Sequence, residues 1–235
     1  MSSTASLLAP LRRVLFAQDC VLCAAPSGDS LVCADCAADL PEIVTACPQC
    51  AEPSPDGQLC GACLVESPAF DRTIAAWRYA FPLDRLVQAL KYSGRLALAD
   101  WFGNALAARI GIPTVDLIIP LPLHERRLRT RGFNQAVEIA RRIAKQHRRR
   151  LAPDALVRVR DTPAQMALPH DARSRNVRDA FVCPASLAGA RVALVDDVMT
   201  TGATLHEAAK ALKHAGAVHV ENWVVARATS HDTSF

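Results

Sequence analysis

Two adjacent carboxylates, Asp196 and Asp197, end the apolar run Val192-Ala-Leu-Val, and Met199, Thr200, Thr201, Gly202, Ala203 and Thr204 follow almost at once. The pattern predicts a buried strand, a turn of small residues and then a helix opened near Thr204. Such a turn presents backbone N–H groups to a phosphate, the threonines add hydroxyl donors, and Gly202 permits close approach. The two acids would repel that phosphate, so they serve another part of the ligand. They suit neutral hydroxyls, or a magnesium ion bridging them. A ligand with hydroxyls beside a phosphate is a ribose 5-phosphate. In open α/β sheets, ligands sit beyond the carboxyl ends of strands, where this segment should lie. An ordinary strand–loop–helix with a chance Asp-Asp is the plain alternative.

A second constellation lies near the start. Eight of the nine cysteines form four Cys-x-x-Cys pairs, Cys20/Cys23, Cys33/Cys36, Cys47/Cys50 and Cys60/Cys63. Two residues between thiolates let both sulfurs reach one tetrahedral ion from a tight turn. Eight thiolates match two structural Zn2+ sites with four sulfurs each. Sequential sites, Cys20/Cys23/Cys33/Cys36 and Cys47/Cys50/Cys60/Cys63, are favoured, with a cross-braced pairing as the alternative. Cys183 stands apart and reads as a small buried hydrophobe. A disulfide framework would suit a secreted chain, and the first residues, interrupted by Pro10, Arg12 and Arg13, do not read as a signal peptide. No apolar run is long enough to span a membrane, so the expectation is a cytoplasmic protein without membrane insertion.

Basic residues form two further groups. Arg126, Arg127, Arg129 and Arg131 follow a predicted strand, and Arg129 and Arg131 flank the turn into Gly132. Their planar forks fit a diphosphate; a solvated basic loop or a contact to a DNA backbone is the alternative. Arg141, Arg142, Lys145, Arg148, Arg149 and Arg150 run along one helix and past its end. They fit nucleic-acid phosphates or an ordinary helix-dipole complement equally well. The formal net charge is +4, and eight thiolates with two divalent ions bring the loaded protein close to neutral. Global charge therefore gives no argument for nucleic acid.

The elements that must position these groups divide the chain in two. Residues 1–67 are cysteine knuckles separated by turn residues such as Pro26, Gly28, Pro53 and Gly57, and metal binding should carry their folding. Residues 68–235 alternate strands and helices. Strands are predicted over 73–79, 116–120, 156–160, 192–195 and 218–226, and helices over 83–92, 95–109, 134–145 and 205–214, the last stopped at Gly216. This alternation implies an α/β domain, a mostly parallel sheet flanked by helices. Lys91 can reach the acidic pair from the end of its helix, and Asn134 is placed to cap the next one. Residues 161–178 are long for a plain connection and read as a lid, with Arg158, Arg160, Gln165, Arg173 and Arg175 as possible contributors.

The segment Val192 to Thr204 closely resembles the fingerprint with which type I phosphoribosyltransferases bind 5-phosphoribosyl diphosphate (PRPP). The segments Ile119 to Gln135, Ala89 to Gly94 and Arg173 to Phe181, with the cysteine pairs before them, resemble the competence protein F (ComF) family. The resemblance spans about Cys20 to Arg227. It implies a type I phosphoribosyltransferase fold behind a double zinc ribbon. Asp196 and Asp197 would be the catalytic residues, positioning the ribose by holding its 2′ and 3′ hydroxyls rather than acting as acid or base, and Met199 to Thr204 would wrap the 5′-phosphate. Arg129 and Arg131 would bind the diphosphate with Mg2+. It further implies a role in natural competence and DNA uptake, handling incoming single-stranded DNA with a competence helicase. Two other functions fit the residues: a metabolic transferase moving phosphoribosyl from PRPP to a base or amine, and a non-catalytic nucleic-acid-binding adaptor.

Overall fold

The computed structural model describes residues 18–161 and 177–229. In the cysteine-rich part, β1 (Gln18–Asp19) pairs with β2 (Pro26–Gly28), and α1 (Ala34–Ala38) and α2 (Gly61–Val65) are single turns that each begin after a cysteine. The rest runs β3 (Arg72–Arg78), α3 (Leu83–Tyr92), α4 (Ala97–Ile110), β4 (Leu117–Pro120), α5 (Glu125–Arg131), α6 (Gln135–His147), β5 (Arg150–Leu151), β6 (Val157–Arg158), β7 (Phe181–Val182), β8 (Arg191–Met199), α7 (Ala203–His214) and β9 (His219–Arg227).

Five strands form one sheet in the order β3-β9-β8-β4-β5, and every pairing is parallel. A parallel sheet is buried on both faces, so its central strands are continuous apolar runs. Val192, Ala193, Leu194 and Val195 of β8 are all fully buried, as are Trp223, Val224 and Val225 of β9. Side chains alternate between faces along a strand, which gives two cores. On one face Ala193, Val195, Trp223 and Val225 pack against α3, α4 and α6 through Leu86, Leu90, Phe102, Leu106, Ile139 and Ile143. On the other, Val192, Leu194, Val220 and Val224 pack against Leu205, Ala208 and Leu212 of α7.

The second face is completed by the cysteine-rich part. Ile43, Cys47, Cys50, Ala51 and Cys63 belong to the same core as Leu194 and Val224. The cysteine-rich part thus stands where a doubly wound sheet would carry another helix. The ribbon also covers the outer edge of β3, which would otherwise expose unpaired backbone groups. Arg78 N–H donates to Pro41 O at 2.8 Å, Thr73 N–H to Pro48 O at 3.2 Å, and Glu42 bridges to Trp77.

Most sequence expectations match within a residue or two, and the differences are local. Strand β8 continues through both acids to Met199 rather than ending at 195. The arginine segment after β4 is the short helix α5, ended by Gly132 at φ +81, and not a loop. The strand expected over 156–160 is reduced to Val157–Arg158, paired antiparallel with β7 outside the main sheet. The lid expected over 161–178 lies largely outside the described residues, with Gln165, Arg173 and Arg175.

Candidate functional site

Adjacent residues of a strand point to opposite faces, so Asp196 and Asp197 cannot do the same work. Asp197 follows Val195 toward the three-helix face. It is buried, and Lys91 Nζ, delivered by the last turn of α3, lies 2.7 Å from its Oδ2. Val198 N–H donates to its Oδ1 at 2.9 Å. Burial opposes both charges, but the pair outweighs it: Asp197 is held below the ordinary carboxylate range and Lys91 above the ordinary ammonium value.

Asp196 follows Leu194 toward the other face and retains some solvent contact. Burial and then the charge of Asp197 push its carboxyl well above the usual range. Its Oδ1 accepts from Asp197 N–H at 2.8 Å. The pair therefore divides into a fixed carboxylate with its own counter-ion and a second carboxyl, raised above the usual range, that keeps some solvent contact. Arg158, stacked on Phe181 with 5.5 Å to the ring centroid, is charge-coupled to Asp196 and to Arg127.

Beyond the acids the chain turns through Met199, Thr200, Thr201 and Gly202 into α7. Gly202 is the N-cap of α7 at φ +80, a left-handed conformation that disfavours any side chain. A Cβ there would also meet Met199 Cε at 2.7 Å, with Phe70 Cζ 3.7 Å away. Thr201 Oγ1 accepts from Ala203 N–H at 3.3 Å, which shapes the turn before Thr204 in the first turn of α7. Phe70 is buried and comes from the segment leaving the second cysteine cluster.

The arginines separate into different environments. Arg129 is engaged by Glu125 one helical turn away, on an exposed face of α5. Arg131 donates to Gln135 Oε1 at 2.8 Å and lies over the Tyr92 ring, 5.8 Å from its centroid. Arg126 faces Asp161 at 3.5 Å. Farther along, Arg141 pairs with Glu138 at 2.6 Å, Arg142 donates to Asn104 at 2.6 Å, and Arg149 donates to Pro113 O at 2.9 Å. Those three guanidinium groups hold protein partners, which favours the structural reading of that cluster. Asn134 caps α6 by accepting from Ala136 N–H at 3.0 Å.

The cysteines meet as two sequential groups, Cys20/Cys23/Cys33/Cys36 and Cys47/Cys50/Cys60/Cys63, with the sulfurs in each group within 4.8 Å of one another. That spacing fits one tetrahedral zinc ion per group, with Zn–S bonds of about 2.3 Å. Burial raises the Cys20 thiol, but amide donors from Cys33, Cys23 and Leu22 bring it down to about 6. Burial likewise opposes the amides of Cys50, Cys60 and Gln49 at Cys47, which settles at about 7. The first cysteine of each site is thereby biased toward the thiolate, the form that binds metal. Cys183 is half-buried, donates to Ala185 O at 3.3 Å, and has its thiol pushed up by burial.

Sequence reasoning missed Arg227, at the end of β9. Its side chain is buried and spans the second cysteine group and the turn after Asp197: Nε donates to Cys50 O at 2.9 Å, Nη2 lies 2.6 Å from Glu52 Oε2, and Nη1 donates to Thr200 O and Ala228 O and reaches Met199 O at 3.4 Å. The available signal was a charged residue closing the apolar run Val224-Val-Ala.

An all-parallel sheet with an acidic strand end, a glycine-tight turn on a helix and two four-cysteine sites defines a zinc-ribbon protein with a phosphoribosyltransferase-type domain. Two domain families match accordingly, a double zinc ribbon domain over residues 11–64 and a phosphoribosyl transferase domain over residues 135–233. The chain is 34% identical over 220 residues to the "DNA utilization protein YhgH" of Salmonella typhi, covering 88% of this chain and 96% of that one. It is 34% identical over 167 residues to the protein of the same name from Escherichia coli O6:H1, covering 68% and 74%. It is 30% identical over 177 residues to "Competence protein F" of Haemophilus influenzae, covering 69% and 76%. The chain belongs to the ComF family.

Proposed function

We propose that this chain is a DNA-utilization protein of the competence type whose phosphoribosyltransferase domain binds PRPP. The observation that carries the reading is the end of β8: a part-buried acid that keeps some solvent contact, a second acid fixed by Lys91, and a small-residue turn leading into α7. In this reading residues 1–67 form the metal-folded ribbon and residues 68–235 the ligand-binding domain. Asp196 accepts the ribose hydroxyls. Asp197, turned to the opposite face and held by Lys91, fixes the strand end behind them, and Met199 to Thr204 wrap the 5′-phosphate through backbone N–H groups. Arg158, charge-coupled to Asp196 and to Arg127, neutralises the diphosphate together with Arg127, Arg129 and Arg131. Mg2+ arriving with PRPP would have Asp196 as its nearest carboxyl and would add positive charge that stabilises the leaving group. The acids position the sugar and transfer no proton. Any transfer would be displacement of pyrophosphate from the anomeric carbon by an acceptor nucleophile, and among the described residues none identifies that acceptor.

The competence role rests on the names of the relatives, and the protein is expected to act in the cytoplasm on incoming single strands alongside a helicase. Among the described residues no helix is long and apolar enough to cross a membrane. A metabolic transferase remains the second reading, favoured by the intact acid pair and turn. Deleting the gene separates them. Loss of natural transformation with normal growth on minimal medium supports the DNA role. A requirement for an added purine or pyrimidine, with transformation intact, rejects it for the metabolic one.

A further inference from the structure

A phosphate-wrapping turn must aim its N–H groups outward, and that fixes where its carbonyls go. In a trans peptide the C=O and the following N–H point in opposite directions. Carbonyls turned inward must then find donors inside the protein, because a buried unpaired carbonyl is costly. Here Met199 O accepts from Ala228 N–H at 2.9 Å, and Thr200 O accepts from Arg227 Nη1. The amides of Thr200 and Thr201 consequently face away from Arg227. The other edges of the same guanidinium hold the second cysteine group, through Cys50 O at 2.9 Å and Glu52 Oε2 at 2.6 Å. A planar, always-charged fork is suited to bridging several fixed acceptors at once, which an ammonium cannot do.

Two more contacts run in parallel. Phe70, which follows the second cysteine group, packs against Gly202, and Ala69 N–H donates to His206 Nδ1 at 3.1 Å, within α7. Gln49, between Cys47 and Cys50, donates to Phe70 O at 3.2 Å. The first cysteine group instead packs through Cys20, Val32 and Leu40 on the face that carries α3.

We infer that Arg227 is a positioning residue that couples the metal site at Cys47/Cys50/Cys60/Cys63 to the turn at Met199–Gly202, so that metal in the first and ligand on the second stabilise each other. The ligand half of this coupling rests on the PRPP reading above; the structural half does not. Binding linkage is reciprocal, so each partner must tighten the equilibrium binding of the other by the same factor.

The test uses the full-length zinc-loaded protein, Glu52→Gln, which removes the ion pair at the ribbon end of the bridge while leaving Cys50 O and the turn's contacts in place, and Arg227→Lys, which keeps the charge without the fork. Hydrogen exchange of the peptide covering residues 199–204 is followed without ligand. The expected result is exchange about tenfold faster in both variants, with residues 20–36 unchanged. Unchanged exchange at 199–204 in both folded variants overturns the coupling. In a second arm, zinc release to a chromogenic chelator is timed with and without PRPP and magnesium. PRPP should slow one of two zinc equivalents in the native protein and slow it clearly less in Glu52→Gln and Arg227→Lys. Equal slowing of both ions, or slowing undiminished in both variants, also overturns it. If PRPP does not bind the native protein, the ligand reading fails and the exchange arm alone decides the coupling.

Discussion

The two cysteine groups share ligand type, spacing and sequential order, yet they occupy different places in the molecule. In the first, Cys20 is buried while Cys23 is exposed, and the group borders an open groove lined by Val21, Leu22, Phe81 and Pro82. In the second, Cys47, Cys50 and Cys63 are all buried in the core that backs β8. One is a surface clamp on the three-helix face. The other is a structural layer, and Arg227 joins it to the turn after the acids. Identical ligand sets therefore carry different consequences, decided by what packs behind the metal.

The largest expected effect tests that difference directly. Structural zinc contributes about 10–16 kcal/mol in isolated ribbons, comparable to the whole stability of a domain. Cys50→Ser should abolish the cooperative unfolding transition seen by near-ultraviolet dichroism. Cys23→Ser should keep a cooperative transition and one zinc per chain. If both variants fold alike, the proposed inequality between the sites is wrong.

Lys91→Met is next. The helix that backs the first cysteine group also delivers Lys91 to Asp197, and removing the ammonium leaves a buried carboxylate without its partner. Breaking such a pair costs about 3–5 kcal/mol. Denaturant unfolding should show that loss, with both zinc ions retained. A loss below about 1 kcal/mol, the size typical of exposed pairs, would mean the contact is not a buried one.

Gly202→Ala acts on the second region. The left-handed backbone alone costs about 1–2 kcal/mol, and the added methyl must displace Met199 Cε. Because Phe70 lies beside it, zinc at the second group should also leave faster, with the first unaffected.

The smallest effect is a gain. The Asp196 carboxyl is raised in the folded state, so its protonated form suits the site, and stability falls as pH rises through its folded value. Asp196→Asn should raise Tm by about 2–4 °C near pH 8 without added magnesium, if relieving that ionisation is worth about 1 kcal/mol. The gap should close toward pH 4, where the native carboxyl is already protonated. A gap that widens on acidification would place Asp196 among the depressed acids.

The parts readable from sequence were those written in consecutive residues. The Cys-x-x-Cys pairs, the acid pair with Thr200 to Thr204, and the amphipathic periods of α3 and α6 each declare themselves within one stretch. Helix α5 was hidden because Glu125-Arg-Arg-Leu-Arg-Thr-Arg has a single apolar residue and so shows no apolar face. The division of labour between Asp196 and Asp197 needed the face that each helix covers. The Arg227 bridge joins residues far apart in the chain, and only the order β3-β9-β8 brings the end of β9 between Glu52 and Thr200. Arg129 and Arg131 were ranked first by their place beside Gly132. Their observed partners, Glu125, Gln135 and Tyr92, are set by the helix that the sequence did not reveal.

The central claim is that the end of β8 is a PRPP site, and titration calorimetry with magnesium tests it most directly, comparing the zinc-loaded native protein with Asp196→Asn/Asp197→Asn. The account predicts binding in the micromolar range, roughly 8 kcal/mol, that is lost in the folded double variant. No binding by the native protein, or equal binding by both, would contradict it.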